Sequence, residues 1–353
     1  MDIKFNMKKI KYAKLDELIN ENRIDLSCGR VNLFINLEPI LNTLVTKQID
    51  DYLRVKNESK IFQIIANIIN LAAHYRLYFS SRKIESTVYL YMQHPFDTIF
   101  KNRRYNHEYR RVYTFKYVDN INNYIICDNL TAAIPLIKII LEYIENVFFI
   151  ESGEIENSVI PYILTRDSEG VNFILSNKIY DMQYVSYDFN ILYPKQDESL
   201  IVTKTNFKST FGKIYKLNVD NVTYNQLPFI LSMVGNPDRN IYGIRGIGLK
   251  RAFSVISSAI RNNVISKDTN NINILIELLK KQYRDSVLEN YCCTDIVSQY
   301  KDCTKKDIYP IMQLINKFDN DALKSLNDKF FEEYPLMLEA ITSKPKKSNN
   351  IVF

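Results

Sequence analysis

Four glycines, Gly235, Gly243, Gly246 and Gly248, stand within fourteen residues of a 353-residue chain that has only eight. Lys250 and Arg251 follow them directly. Glycine concentrates where the backbone must reach φ > 0 or approach another group closely. Helix-like apolar patterns flank the cluster, from Asn225 to Val234 and from Leu249 to Asn262. A helix that starts at the glycines turns its unpaired N–H groups and positive dipole end into the loop. That is the chemistry of a backbone clamp on phosphate, with Arg245, Lys250 and Arg251 supplying positive charge and Ile244 and Ile247 anchoring the loop. Nothing here reads base edges, so recognition is expected to follow shape rather than sequence. The same spacing also suits a tight helix–helix turn that holds no ligand.

A second candidate is basic and aromatic. Lys101, Arg103, Arg104, Arg110, Arg111 and Lys116 interleave with Tyr105, Tyr109 and Tyr113. That mixture suits a single strand or frayed end, with bases stacked on tyrosine, and equally a solvated helical face. Five cysteines, Cys28, Cys127, Cys292, Cys293 and Cys303, form no CxxC pair, and no histidine lies near Cys292 and Cys293. Buried free thiols in a reducing compartment are expected, not a zinc site.

The elements that must position these residues fall into two stretches. Buried strands are predicted at 31–35, 87–91, 146–150 and 172–175, with helices at 37–52, 60–79, 130–143 and 154–164. Strand alternating with helix implies a parallel sheet flanked by helices. Beyond about residue 220 the strands are expected to stop, and helices follow at 225–234, 249–262, 272–283, 307–318 and 321–339. The organisation expected is an α/β domain over 1–220 with a basic segment near 97–118, a helical region over 221–340 carrying the hairpin 235–252, and a flexible tail over 341–353. Lys and Arg number 46 against 40 Asp and Glu, a net charge of +6 that permits nucleic-acid binding without demanding it. No apolar run reaches the length of a membrane span, and the N-terminus lacks the apolar core of a signal peptide, so a cytoplasmic location is expected. Twenty-five tyrosines, no tryptophan and abundant Ile, Asn and Lys suggest an AT-rich coding genome, such as many phages and some parasites carry.

The stretch Val234-Gly-Asn-Pro-Asp-Arg-Asn-Ile-Tyr-Gly-Ile-Arg-Gly-Ile-Gly-Leu-Lys-Arg-Ala252 resembles the helix–three-turn–helix of the flap endonuclease/5′-nuclease superfamily, a PIN-like family that includes phage ribonuclease H and the 5′-exonuclease domain of bacterial DNA polymerase I. The family pattern is roughly Gly-Asp-x-x-Asp-Asn-Ile-Pro-Gly-Val-x-Gly-Ile-Gly-x-Lys-Thr-Ala. Other segments match in order over about residues 30 to 335. Leu33–Asn36 and Val88–Gln93 resemble the first two strands, Phe100–Arg111 the basic stretch that enters the helical arch, Gly153–Asn157 the acidic helix, and Phe173–Asn177 the strand leading to Gly-Asp-x-Asp. The resemblance implies a PIN/FEN-like α/β fold with a C-terminal helical DNA-binding region. DNA ends, flaps or junctions are the implied partners, host cytoplasm the location if the gene is a phage's, and phage replication or transcription proteins the implied assembly.

The resemblance also implies two Mg²⁺ or Mn²⁺ ions held by carboxylates. Position by position, most of those carboxylates are missing. The first strand ends in Asn36 and the second in Met92 or Gln93. Ser176-Asn177-Lys178-Ile179 stands where Gly-Asp-x-Asp is expected, and the hairpin has Asn236 and Arg239 for its two aspartates. Glu154 and Glu156 survive, with Asp238 one place out of register; these three are the residual catalytic candidates, and Glu154 and Glu156 the candidate metal ligands. Asp167 and Glu169 mimic Gly-Asp-x-Asp but lie too close to Glu156, and a solvated helix end or loop is expected there. Two carboxylates supply at most two negative charges against four on the metals. The expected function is therefore sequence-independent DNA binding with lost or much reduced cleavage. An active metal-dependent 5′-nuclease with an unusual ligand set, and a scaffold whose hairpin contacts protein, remain as alternatives.

Overall fold

A computed structural model describes residues 10–37, 58–93, 146–152, 159–165, 169–194, 199–219, 221–236 and 241–300. Within them a six-stranded sheet has the order β3-β2-β1-β4-β5-β6. Its strands are β1 (Arg30–Asn36), β2 (Glu85–Gln93), β3 (Val147–Ser152), β4 (Val171–Leu175), β5 (Phe189–Tyr193) and β6 (Leu200–Val202). The first five run parallel and β6 pairs antiparallel with β5. The four strands expected from sequence are present, and the mostly parallel sheet flanked by helices is the expected α/β fold. Chain order places β2 and β3 on one side of β1, then β4, β5 and β6 on the other. The carboxyl ends of β1 and β4 therefore meet at a topological switch point, where open α/β sheets place their ligands.

Alternation along β1 builds two cores. Val31, Leu33 and Ile35 face one side with Val88, Leu90, Met92, Phe173 and Leu175. Helices α1 (Tyr12–Glu21) and α2 (Glu58–Ser80) cover that side through Leu15, Leu18, Ile68, Ala72 and Phe79. Phe34 faces the other side with Tyr91, Ile174 and Ile191. In β1 and β4, Asn32 donates from Nδ2 to Asn172 Oδ1 at 3.0 Å, and the two residues are register partners. A one-residue slip would break that bond and turn Phe34 to the wrong face.

The second core also takes in the later helices. These are α3 (Ile160–Thr165), α4 (Phe207–Tyr215), α5 (Leu227–Val234), α6 (Leu249–Arg261), α7 (Ile272–Leu275), α8 (Lys281–Thr294) and α9 (Ile296–Tyr300). Ile160, Phe211, Phe229, Ile256, Val287 and Ile296 join Phe34 and Ile174 in one continuous apolar cluster. Helices α5 and α6 match expectation, and 272–283 does not. There α7 passes into a 3-10 turn, the chain extends at Leu279 (φ −99°, ψ 151°), and α8 starts at Lys281. The Arg284 guanidinium accounts for the break, donating to the carbonyls of Leu279 (3.0 Å) and Glu277 (3.3 Å) that a continuous helix would have bonded. Strands do not stop at residue 220 either: β7 (Gly235–Asn236) and β8 (Ile241–Tyr242) pair antiparallel between α5 and α6. Of the free thiols, Cys28 and Cys292 are exposed and Cys293 is half-buried, contrary to the buried set expected. No helix among the described residues is long and apolar enough to cross a membrane.

Candidate nucleic-acid interface

The glycine loop is built by close backbone crossing. Helix α5 ends at Val234, and Gly235 takes φ +77° to turn into β7. Gly243 returns against it, so near that a Cβ on Gly243 would overlap the Val234 carbonyl. The Ile244 amide then donates to Met233 O at 2.8 Å, fastening the loop to the end of α5. Ile247 donates to Ile244 O at 2.9 Å, and Gly246 between them has φ +81°. That is a type II turn, whose third residue must have positive φ. Gly248 leads into α6 with no side-chain cap, leaving its first amides without intrahelical acceptors.

Ile244 is buried and Ile247 packs against the second core, the anchoring roles expected for them. Arg245, Gly246, Gly248, Lys250 and Arg251 are exposed. Arg251 Nη1 donates to Gly246 O at 2.9 Å, so this side chain also closes the loop. Helix α6 has no acidic residue in its first turn, and Lys250 and Arg251 stand there instead. Cations at the positive end of a 13-residue helix oppose its dipole, and an anion at the loop would relieve both.

A residue outside the loop fixes its place. Asn290 on α8 is 2% exposed. Its Nδ2 donates to Ser232 O in α5 at 3.0 Å and to Tyr242 O in β8 at 2.8 Å. Sequence reasoning missed it, because nothing local marks a helical asparagine as a brace for a loop some fifty residues earlier.

The carboxyl edge of the sheet is the second candidate surface. Asn36 ends β1, half-buried, and Met92 near the end of β2 is 2% exposed. Beyond β4 come buried Ser176 and exposed Asn177 and Lys178. A neutral amide oxygen is a weaker ligand than a carboxylate for hard divalent cations, and a thioether and an ammonium are unsuited to them. Two acidic residues that sequence reasoning passed over belong to this part of the chain. Glu151 is the register partner of Met92, at the end of β3. Asp181 is 5% exposed and accepts from Ser176 Oγ at 2.5 Å, while Ser176 Oγ in turn accepts from the Lys178 amide at 3.0 Å. Burial, then neighbouring charges that include Asp181, pushes the hydroxyls of Tyr184 and Tyr215 far above the ordinary tyrosine range. Asp181 is thus a buried carboxylate hydrogen-bonded to Ser176. Among the described residues no group of three or more His, Cys, Asp or Glu is arranged to hold a metal.

Glu169 stands just before β4, at the amino edge of the sheet. It is 3.6 Å from Arg30 with its side chain 89% exposed, the solvated position expected, and it faces away from the carboxyl edge. Asp167 lies outside the described residues. So do Glu154, Glu156, Asp238 and Arg239, and the basic segment with Lys101, Arg103, Arg104, Arg110 and Arg111.

No protein-family model matches the chain, and no curated protein matches it significantly in sequence. Solved structures do. A bacteriophage T5 protein co-crystallised with metal ions aligns at TM-score 0.51 and 14% identity, over 80% of this chain and 98% of that one. The bacteriophage T5 flap endonuclease, in a pseudo-enzyme–product complex with DNA and metal ions, aligns at TM-score 0.50 and 13% identity, over 81% of this chain and 100% of that one. In that pseudo-enzyme an aspartate is replaced by lysine. The T5 5′-exonuclease with bound zinc aligns at TM-score 0.50 and 12% identity, over 80% and 98% of the two chains. The chain shares the fold of these phage 5′-nucleases.

Proposed function

We propose that this chain is a sequence-independent DNA-binding protein on a 5′-nuclease fold, gripping duplex ends, flaps or junctions with phosphodiester cleavage lost or much reduced. The observation that carries the reading is a contrast within one molecule. The glycine loop joins exposed cations to the start of a helix, a combination suited to phosphate, while the carboxyl edge offers Asn36, Met92 and Lys178 where the family resemblance implies metal ligands. In this reading the loop amides and Lys250 take one phosphate, and Arg245 and Arg251 its neighbours. Lys178, exposed at the switch point, suits a phosphodiester better than a cation. The T5 pseudo-enzyme, with lysine for one aspartate, is a precedent for DNA held on this fold in a pseudo-enzyme.

Electromobility and anisotropy with a 5′-flap duplex test the grip. Wild type binds at low salt, and log affinity falls linearly with log salt. In the Lys250→Glu/Arg251→Glu variant the affinity collapses and the slope falls by about two. Failure of wild type to bind branched DNA at low salt would overturn the reading and leave the scaffold role. Incubation of the same substrate with Mg²⁺ or Mn²⁺ tests cleavage, with no product expected beyond that of the Glu154→Ala protein. Metal-dependent cleavage abolished by Glu154→Ala would establish the alternative, an active 5′-nuclease. One observation favours that alternative: Glu151 at the end of β3 is followed within five residues by Glu154 and Glu156.

A further inference from the structure

Tyr242 is 55% exposed, although it lies between two buried isoleucines and one residue before the loop turn. A single exposed aromatic is ordinary on a protein surface. Three observations set this one apart. First, Ile241 and Ile244 are each only 7% exposed, so the loop's apolar anchors are in place and Tyr242 is not a core residue displaced outward. Second, its backbone is fixed from three directions. Gly235 is its ladder partner, Asn290 Nδ2 holds its carbonyl at 2.8 Å, and Gly243 beside it is pressed against the end of α5. Third, the exposed groups that follow it along the loop are Arg245, Gly246, Gly248, Lys250 and Arg251.

An exposed aromatic ring on a fixed backbone, followed along the same loop by exposed cations, combines the parts of a stacking platform and an electrostatic grip. Because its backbone is already ordered, the ring loses little freedom on binding. We propose that the Tyr242 ring packs on the sugar–base face of the nucleotide next to the phosphate held by the loop. It supplies a salt-insensitive part of DNA affinity, which phosphate contacts alone cannot give. The inference rests on the DNA-binding reading above and adds a contact of different chemistry.

Tyr242→Ala and Tyr242→Phe proteins are titrated with a fluorescent 5′-flap duplex over a range of salt concentrations, with thermal melts as the check on folding. Tyr242→Ala is expected to weaken binding roughly tenfold at every salt concentration, with the slope of log affinity against log salt unchanged. Tyr242→Phe, which keeps the stacking face, is expected to bind within about twofold of wild type. Unchanged affinity in Tyr242→Ala overturns the inference. So does equal weakening in Tyr242→Phe, which points to a contact of the hydroxyl, or a flatter slope in either variant, which points to lost cation–phosphate contacts. If wild type binds no DNA at low salt, the underlying DNA-binding reading fails and this inference with it; if wild type binds and Tyr242→Ala matches it, only this inference fails.

Discussion

Two glycines of the loop tolerate a methyl group differently. On Gly243 an added Cβ would overlap backbone atoms of α5, which cannot move without shifting the helix end. Gly243→Ala is therefore expected to lower stability by about 1–3 kcal/mol, as overpacking does, and to weaken DNA binding at permissive temperature. On Gly246 the nearest atom to an added Cβ is Arg251 Nη1 at 3.6 Å, so only the positive φ opposes substitution. Gly246→Ala is expected to lose only about 1 kcal/mol. Urea unfolding of the two variants measures the difference, and equal losses would contradict the crossing described for Gly243. At this scale the sequence was informative. Glycine spacing marked the loop, and the sequence itself shows no carboxylate at Asn36, Met92 or Lys178. Asp181 could not, because only folding brings its carboxylate back to Ser176, five residues earlier, and shuts it from solvent.

Elements long enough to show a period were legible, and short ones were not. Helix α6 carries its buried residues at helical spacing: Ala252, Phe253, Ile256, Ala259 and Ile260. Strand β6 has three residues, too few for any alternation to register, and its neighbour β5 escaped notice with it. The two-residue strands β7 and β8 owe their pairing to the crossing at Gly235 and Gly243, not to strand propensity. Helix α8 matters less for its own pattern than for what Asn290 holds. Removing that amide takes one hydrogen bond from each of the carbonyls of Ser232 and Tyr242, a loss of about 1–3 kcal/mol. Asn290→Ala is thus expected to unfold at lower urea concentration and, while still folded, to bind DNA less tightly. Hydrogen exchange at the Tyr242–Ile244 amides should rise, and exchange equal to wild type would rule out the brace.

At the scale of the molecule, helices enclose the sheet on both sides, and each side is secured differently. The α1 side carries an ionic clasp. Arg82 Nε donates to Asp16 Oδ1 at 2.7 Å, Tyr78 donates to the same oxygen at 2.7 Å, and the guanidinium lies 3.8 Å from the Tyr78 ring centre. The hydrogen bond from Arg82 holds the Asp16 carboxyl below the usual carboxylate range. A carboxyl so depressed stabilises the fold above its unfolded pKa, and the contribution disappears as pH falls through the folded value. Asp16 is partly exposed, so solvent screening keeps the effect under about 1 kcal/mol. Asp16→Asn should melt slightly below wild type at pH 7, and the gap should close on acidification below about pH 4. A gap independent of pH would assign the effect to packing alone. The other side coheres through apolar packing, with Phe34 and Ile174 of the sheet sharing one cluster with Ile256, Val287 and Ile296. That sharing bears on how the protein can be divided. A chain ended after residue 219 would keep all six strands but leave the Phe34 side covered only by α3 and α4 among the described helices, exposing the apolar surface that Phe229, Ile256, Val287 and Ile296 now bury, a patch of the kind that drives aggregation. Such a truncate is expected in the insoluble fraction, and a soluble, folded one would disprove the point. The glycine loop hangs on helices that share one apolar core with the sheet, so the stretch beyond residue 220 and the sheet are a single folding unit that cannot be parted without cost to both.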